Sequence, residues 1–242
     1  MIEEHGKWIM CGHDLFEEAP LKNHAQIREY IHEVGFVPLF KNEIPGFSIE
    51  EHSYNGGWWG EDPNLDPWAF REFIAGQEDI VYGKLFGGKA GFITKEWLPI
   101  FARIRRDGYD FDSRYEDGLA SHRAKMIMDT LEQHNSMPSH ILKQEAGFGK
   151  GGEKGFDSTI NQLQMQIYII AAGFARKKNK QGQEYGWPGV ILAMTEKVFG
   201  YDYVRSAYSM DLNEAKNKIR ESAIKRYEIP SEKIMDKVLG LK

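Results

Sequence analysis

Sulfur chemistry is nearly missing from this chain, which carries one cysteine, Cys11, in 242 residues. An internal disulfide is thereby excluded, as is a multi-cysteine zinc or iron–sulfur site within one chain. That usage suits a reducing cytoplasm. No apolar run approaches the roughly 20 residues of a membrane-spanning helix. The opening Met1-Ile2-Glu3-Glu4-His5 is acidic and reads as no secretory signal. The eight histidines include no H-E-x-x-H pair and no helical metal-ligand spacing, so neither a metal nor a cofactor is expected. Internal repeats and low-complexity runs are missing from the sequence as well.

What is present supports a folded chain. The apolar share is 41%, but 14 Phe, 11 Tyr and 6 Trp supply large surfaces to bury. The length fits one large domain or two small ones. The net charge of −5 hides an asymmetry. Residues 1–120 carry 12 Lys and Arg against 22 Asp and Glu, a balance of −10, whereas residues 121–242 carry 19 against 14, a balance of +5. A basic second half is what a phosphate-binding surface needs, although an unevenly charged solvated surface reads the same way.

Punctuation places the elements. Asn23 and Gly35 bracket a helix over His24–Val34. Asp66-Pro67 opens a helix with Phe70, Phe73 and Ile74 on one face. Ile80–Phe86 and Ala90–Thr94 read as strands joined at Gly87-Gly88. Thr94 is expected to cap a helix from Lys95 to Arg106. Later come a helix from Ser121 to His134 and a short one over His140–Ala146. A Gly-rich loop from Gly147 to Gly155 follows, then a helix carrying Ile160, Leu163, Ile167, Ile170 and Ala171 that ends at Gly173. Phe174–Lys178 and Glu184–Ala193 close the region as a hairpin. Asp211 and Ser231 mark two terminal helices.

Helix, helix, Gly-rich loop, helix and basic hairpin, in that order between Ser121 and Thr195, is the signature of a winged helix. The fold expected is α+β, mostly helical, with tandem winged-helix units and short β-hairpins. Its divisions are 1–118, a helical and winged-helix-like region; 119–200, the winged-helix domain; and 201–242, a helical extension. The expected partner is double-stranded DNA. Arg176, Lys177, Lys178 and Lys180 on the wing, with Lys150 and Lys154 in the loop, suit phosphates. Asn161, Gln162 and Gln166 can offer paired donors and acceptors to base edges. The same glutamines also read as solvated surface, and the wing as a protein-contact device. Gly147–Gly152 matches G-x-G-x-x-G but follows no strand, which leaves a linker approaching phosphates as its better reading. Trp58 and Trp59 either stack a base or plug a core beneath their Gly-rich loop.

The run from Ile80-Val81-Tyr82-Gly83-Lys84 through Trp97-Leu98-Pro99 to Ile104-Arg105-Arg106 resembles the winged-helix DNA glycosylases of the AlkZ/YcaQ type. Thr195-Glu196-Lys197-Val198 is similar to that family's ending after the wing. The resemblance spans roughly residues 25–200. It implies a role in DNA repair, by metal-independent removal of alkylated or crosslinked purines. The family's catalytic motif is Gln-x-Asp or Gln-x-Gln, and Pro38 and Phe40 stand in those places here. Neither side chain polarises water or stabilises positive charge. The resemblance thus implies a DNA-binding relative with a lost motif. Two alternatives stay open: an active glycosylase with relocated carboxylates, drawn from Glu43, Glu50 and Glu51, and a protein-interaction module. Oligomeric state and lesion specificity are not legible.

Overall fold

Asn23 and Gly35 do bracket the first long helix. The computed structural model describes residues 2–4, 7–17, 21–60 and 62–241. Met1 and His5, part of the stretch read for a signal, lie outside the described residues. A short antiparallel pair, β1 (Ile2–Glu4) and β2 (Lys7–Ile9), precedes helix α1 (His24–Val34). The Asn23 side chain accepts from the Gln26 amide at 3.0 Å, and Gly35 takes a φ of +84° that favours glycine. Strand β3 (Phe36–Pro38), the one-turn helix α2 (Ile49–His52) and helix α3 (Pro67–Ile74) follow. Asp66 caps α3 by accepting from the Trp68 amide at 2.8 Å. The hairpin β4 (Ile80–Phe86) and β5 (Lys89–Thr94) turns at Gly87-Gly88, both at positive φ. These strands make an antiparallel sheet in the order β3-β5-β4.

Helices α4 (Leu98–Arg106) and α5 (Phe111–Glu116) lead to a second unit with the same order of elements. It comprises α6 (His122–Glu132), β6 (Met137–Pro138), α7 (Ser139–Glu145), α8 (Phe156–Met165), β7 (Ile169–Lys178) and β8 (Glu184–Met194). Its sheet order, β6-β8-β7, repeats that of the first unit, and all its pairings are antiparallel. Helices α9 (Thr195–Phe199), α10 (Tyr201–Val204), α11 (Leu212–Ile224) and α12 (Glu232–Leu239) complete the chain. The architecture is mixed, with helices around two small antiparallel sheets. The repeat of order is invisible in the sequence because the two units share topology rather than residues.

Two apolar cores form. The first joins Ile27, Ile31, Phe36, Phe92 and Phe101 to Ile219, Ala223 and Leu239, so α11 and α12 pack back on the first unit. Phe36 meets Trp97 and Phe101 edge-on at 5.0 and 5.2 Å, contacts that add about 0.5–1.5 kcal/mol each beyond burial. The second core holds Phe111, Ile127, Leu131, Leu142, Leu163, Tyr168 and Leu192.

Two local expectations are corrected. Thr94 makes no side-chain cap; a 3-10 turn over Lys95–Trp97 precedes α4 instead. The helix expected to run to Gly173 ends at Met165, and β7 begins at Ile169. Ile167 turns the chain at φ +60°, and Gly173 marks a bulge in β7. The apolar run Ile167-Tyr168-Ile169-Ile170 fits a buried strand as well as a helix face, and its β-branched content favours the strand.

Candidate nucleic-acid surface and aromatic cavity

The β7–β8 hairpin carries the densest positive charge. Arg176, Lys177, Lys178 and Lys180 are all exposed, and none forms an ion pair with a described residue. Arg176 instead donates to the Gly186 carbonyl at 2.8 Å across the hairpin. Beside them lie Trp187, 78% exposed, and Tyr185, 53% exposed. Sequence reasoning passed over both aromatics, because alternation within a strand does not say which strand leaves the body of the protein. Lys150 and Lys154 are exposed in the loop before α8.

The amide side chains on α8 have diverse settings. Gln162 is exposed. Asn161 lies against the Gly88 turn of the first unit's hairpin, where a Cβ on Gly88 would sit 2.8 Å from Asn161 Nδ2. Gln166 stands at the C-cap rather than on the helix face, and its carbonyl accepts from Arg106 Nε at 3.2 Å. Gln164 is buried and accepts from the Lys84 amide at 2.7 Å. It thereby satisfies the outer edge of β4 where the β4–β5 register shifts. Helix α8 therefore docks on the first sheet's edge.

Pro38 closes β3, where it pairs opposite Gly91 and is buried. Phe40 packs between Trp58 and Trp68, with ring centroids 5.6 and 6.0 Å away. Both residues line a hollow of about 120 Å³ beside Glu43 and Lys237. The three weighed carboxylates have partners of their own. Glu43 pairs with Lys237, and that hydrogen bond holds its carboxyl below the usual range. Glu51 accepts from Ser48 Oγ at 2.6 Å and from the Gly46 amide at 3.0 Å, and its own amide donates to Ser48 Oγ, which caps α2. Glu50 is fully buried and accepts from the Lys41 amide at 2.8 Å and from the Cys11 amide and thiol at 3.3 and 3.2 Å. Burial and the Glu50 carboxylate push the Cys11 thiol up to about 11.

Trp58 is buried and donates to Ser53 Oγ at 3.2 Å. Trp59 is 37% exposed, sits at φ +54°, and lies 6.3 Å from Trp68. Its amide donates to Asp66 at 3.0 Å, which fixes this turn to the start of α3.

The same aromatic cluster borders a cavity of about 250 Å³ between the two sheets. Phe40, Trp68 and Tyr82 come from the first unit, Phe174 and Val190 from the second. Arg71, on the inner face of α3, is 6% exposed and lines the cavity. Its guanidinium is sandwiched between the rings of Trp68 at 3.9 Å and Phe174 at 4.2 Å. Its one hydrogen-bonded carboxylate, Glu72, lies at 3.4 Å, and its Nε is buried without a partner. Burial pushes this guanidinium below its ordinary range, against the pull of Tyr82 and Glu72.

Among the described residues, no group of three or more His, Cys, Asp or Glu is arranged to hold a metal ion. No helix there is long and apolar enough to cross a membrane.

The molecule is thus a mixed α/β protein in which two sheet-and-helix units meet over an aromatic cavity and one of them extends a basic hairpin. The AlkZ-related family matches residues 21–240, so the chain belongs to that family, relatives of a DNA glycosylase. No curated protein and no solved structure matches it.

Proposed function

We propose that the chain binds duplex DNA through the β7–β8 hairpin, that both units are winged helices, and that the inherited glycosylase motif is lost. One observation carries this reading: four exposed cations within five residues, without ion pairs among the described residues, beside two exposed aromatics. Such cations neutralise phosphates and release counterions. Tyr185 and Trp187 add flat apolar surface that can wedge against or stack on bases. The repeated element order, with each sheet's first strand beside the last, supports the winged-helix reading. Loss of catalysis is supported by Pro38 and Phe40 at the motif positions and by the structural partners of Glu43, Glu50 and Glu51. Membership of the family supports a DNA-directed role, and the single cysteine suits a reducing cytoplasm.

Fluorescence anisotropy with a labelled duplex across a salt series tests this. Affinity falls with salt for the native chain, with a slope near 0.9 per neutralised phosphate. Replacing Arg176, Lys177, Lys178 and Lys180 with Ala weakens binding and flattens the slope. Unchanged binding in that variant overturns the assignment. A folded native chain that binds no duplex even at low salt leaves the hairpin as a protein-contact device. Release of free base from alkylated duplex would restore the enzymatic reading and place the carboxylates back at its centre.

A further inference from the structure

The Arg71 cavity holds a buried guanidinium whose polar atoms are only partly satisfied. A guanidinium carries five N–H donors in one plane and cannot shed its charge at ordinary pH. Here both faces of that plane are covered by Trp68 and Phe174. The edge is left to form hydrogen bonds and reaches Glu72 at 3.4 Å and the Tyr82 side chain, while Nε stays buried and unpaired. A buried cation left this way is costly unless an acceptor reaches it. The open space beside it is walled by the rings of Phe40, Tyr82 and Phe174 and by Val190. An apolar cavity of about 150 Å³ admits benzene. This one, at about 250 Å³, has room for a larger ring system.

We propose that the cavity between the two sheets is a binding site for a planar aromatic carboxylate, whose carboxylate lies in the plane of the Arg71 guanidinium and whose ring fills the space between Tyr82, Phe40 and Phe174. Three observations converge on that class. The unsatisfied Nε on the edge of Arg71 suits a carboxylate oxygen, the partner arginine binds most strongly. Apart from Lys84 and Gln164, the rest of the lining is apolar and rich in aromatic rings, which favours a ring over a sugar or a phosphate. The charge selects an anion over a neutral base. The site lies at the base of the β7–β8 hairpin, whose Phe174, Pro188 and Val190 line it, but it uses none of the hairpin's four cations, and the proposal holds with or without DNA binding. Because Arg71, Tyr82 and Phe40 come from the first unit and Phe174 and Val190 from the second, an occupant bridges the two units.

Calorimetry on the full chain without DNA, using 2-naphthoate and its neutral isostere 2-naphthamide, tests the proposal. Naphthoate binds with a Kd of about 100 µM or tighter, and naphthamide about tenfold or more weaker. Arg71→Met removes the preference for the acid. Because that change also removes packing between Trp68 and Phe174, Ala171→Leu, which fills the cavity and leaves Arg71 in place, serves as a second variant and abolishes binding of both probes. Equal affinity for acid and amide in the native chain overturns the role of Arg71. Binding that survives Ala171→Leu, or no binding of naphthoate at millimolar concentration, overturns the site.

Discussion

Arg106 and Glu196 are ion-paired where the two cores meet, and the guanidinium of Arg106 is fully buried. Arg106 comes from the end of α4 and Glu196 from the start of α9. The same guanidinium donates to the carbonyls of Gln166 and Ile167 and lies 4.3 Å from the ring of Tyr168. It therefore satisfies the last carbonyls of α8 in place of water. The Glu196 carboxylate and the other acceptors more than offset the cost of burial, so the group is held charged above its ordinary range. Glu196→Ala leaves that charge buried without its counter-ion and lowers unfolding free energy by about 3–5 kcal/mol. Glu196→Gln, which keeps an acceptor against Arg106 and leaves its bonds to the Gln166 and Ile167 carbonyls in place, costs markedly less. Urea titrations of the two variants give the comparison, and equal losses would show that Arg106 gains nothing from the retained acceptor.

Glu50 behaves as a structural anchor. Its carboxylate holds the amides of Lys41 and Cys11. Glu50→Ala orphans those donors in a dry setting and costs about 2–4 kcal/mol. Thermal unfolding measures this without any substrate. A Glu50→Ala chain as stable as the native one would return this carboxylate to the list of catalytic candidates.

The Cys11 thiol resists alkylation. Burial and then Glu50 raise it from 9.0 to about 11. At pH 8 its thiolate fraction is about a hundredfold below that of an unperturbed cysteine, and iodoacetamide labels it correspondingly slowly. The folded chain here prefers the protonated thiol. Its contribution to stability is therefore complete below pH 9 and falls away as pH rises toward 11. Glu50→Gln removes a negative neighbour and brings labelling to lower pH. Labelling of the native chain at the rate of a free thiol contradicts the geometry.

On the proposed duplex-binding role, Trp187 and the hairpin cations are expected to contribute separably. Trp187→Ala weakens binding about 5- to 100-fold, the range of one lost stacking contact, and leaves the salt slope unchanged. Lys177→Ala reduces the slope by about one phosphate's worth. A Trp187→Ala variant with a flattened slope and undiminished low-salt affinity would assign the tryptophan to charge placement rather than stacking.

Much of the scaffold is written locally. Asn23 and Gly35, Asp66-Pro67 and Gly87-Gly88 each specify a backbone geometry through their own side chains or lack of one, and the elements begin and end beside them. Ile167–Ala171 misleads because an apolar run satisfies two periods, and the choice is made by β8, some 25 residues later, and by Arg106, about sixty residues earlier. The cavity lies further from reach. Arg71 reads as an ordinary helix arginine until Phe174, a hundred positions later, is laid over it. Exposure of Trp187 was equally hidden, since composition cannot say which strand projects.

The first core is assembled mainly from residues 10–104 and 199–241, joined by Ile167, Ile170 and Ala171 from the second unit. Tyr30 meets Tyr227, Arg105 reaches the Leu239 carbonyl, and Ile31 shares its apolar cluster with Ile219. During synthesis the second core, whose members run from Phe111 to Leu192, therefore has all its residues made before the first core does. The amino-terminal sheet must wait, with Phe36, Phe92 and Phe101 uncovered on one side, until the last helices leave the ribosome. A gene cut after α9 would deliver the basic hairpin in folded form and an aggregating partner in front of it.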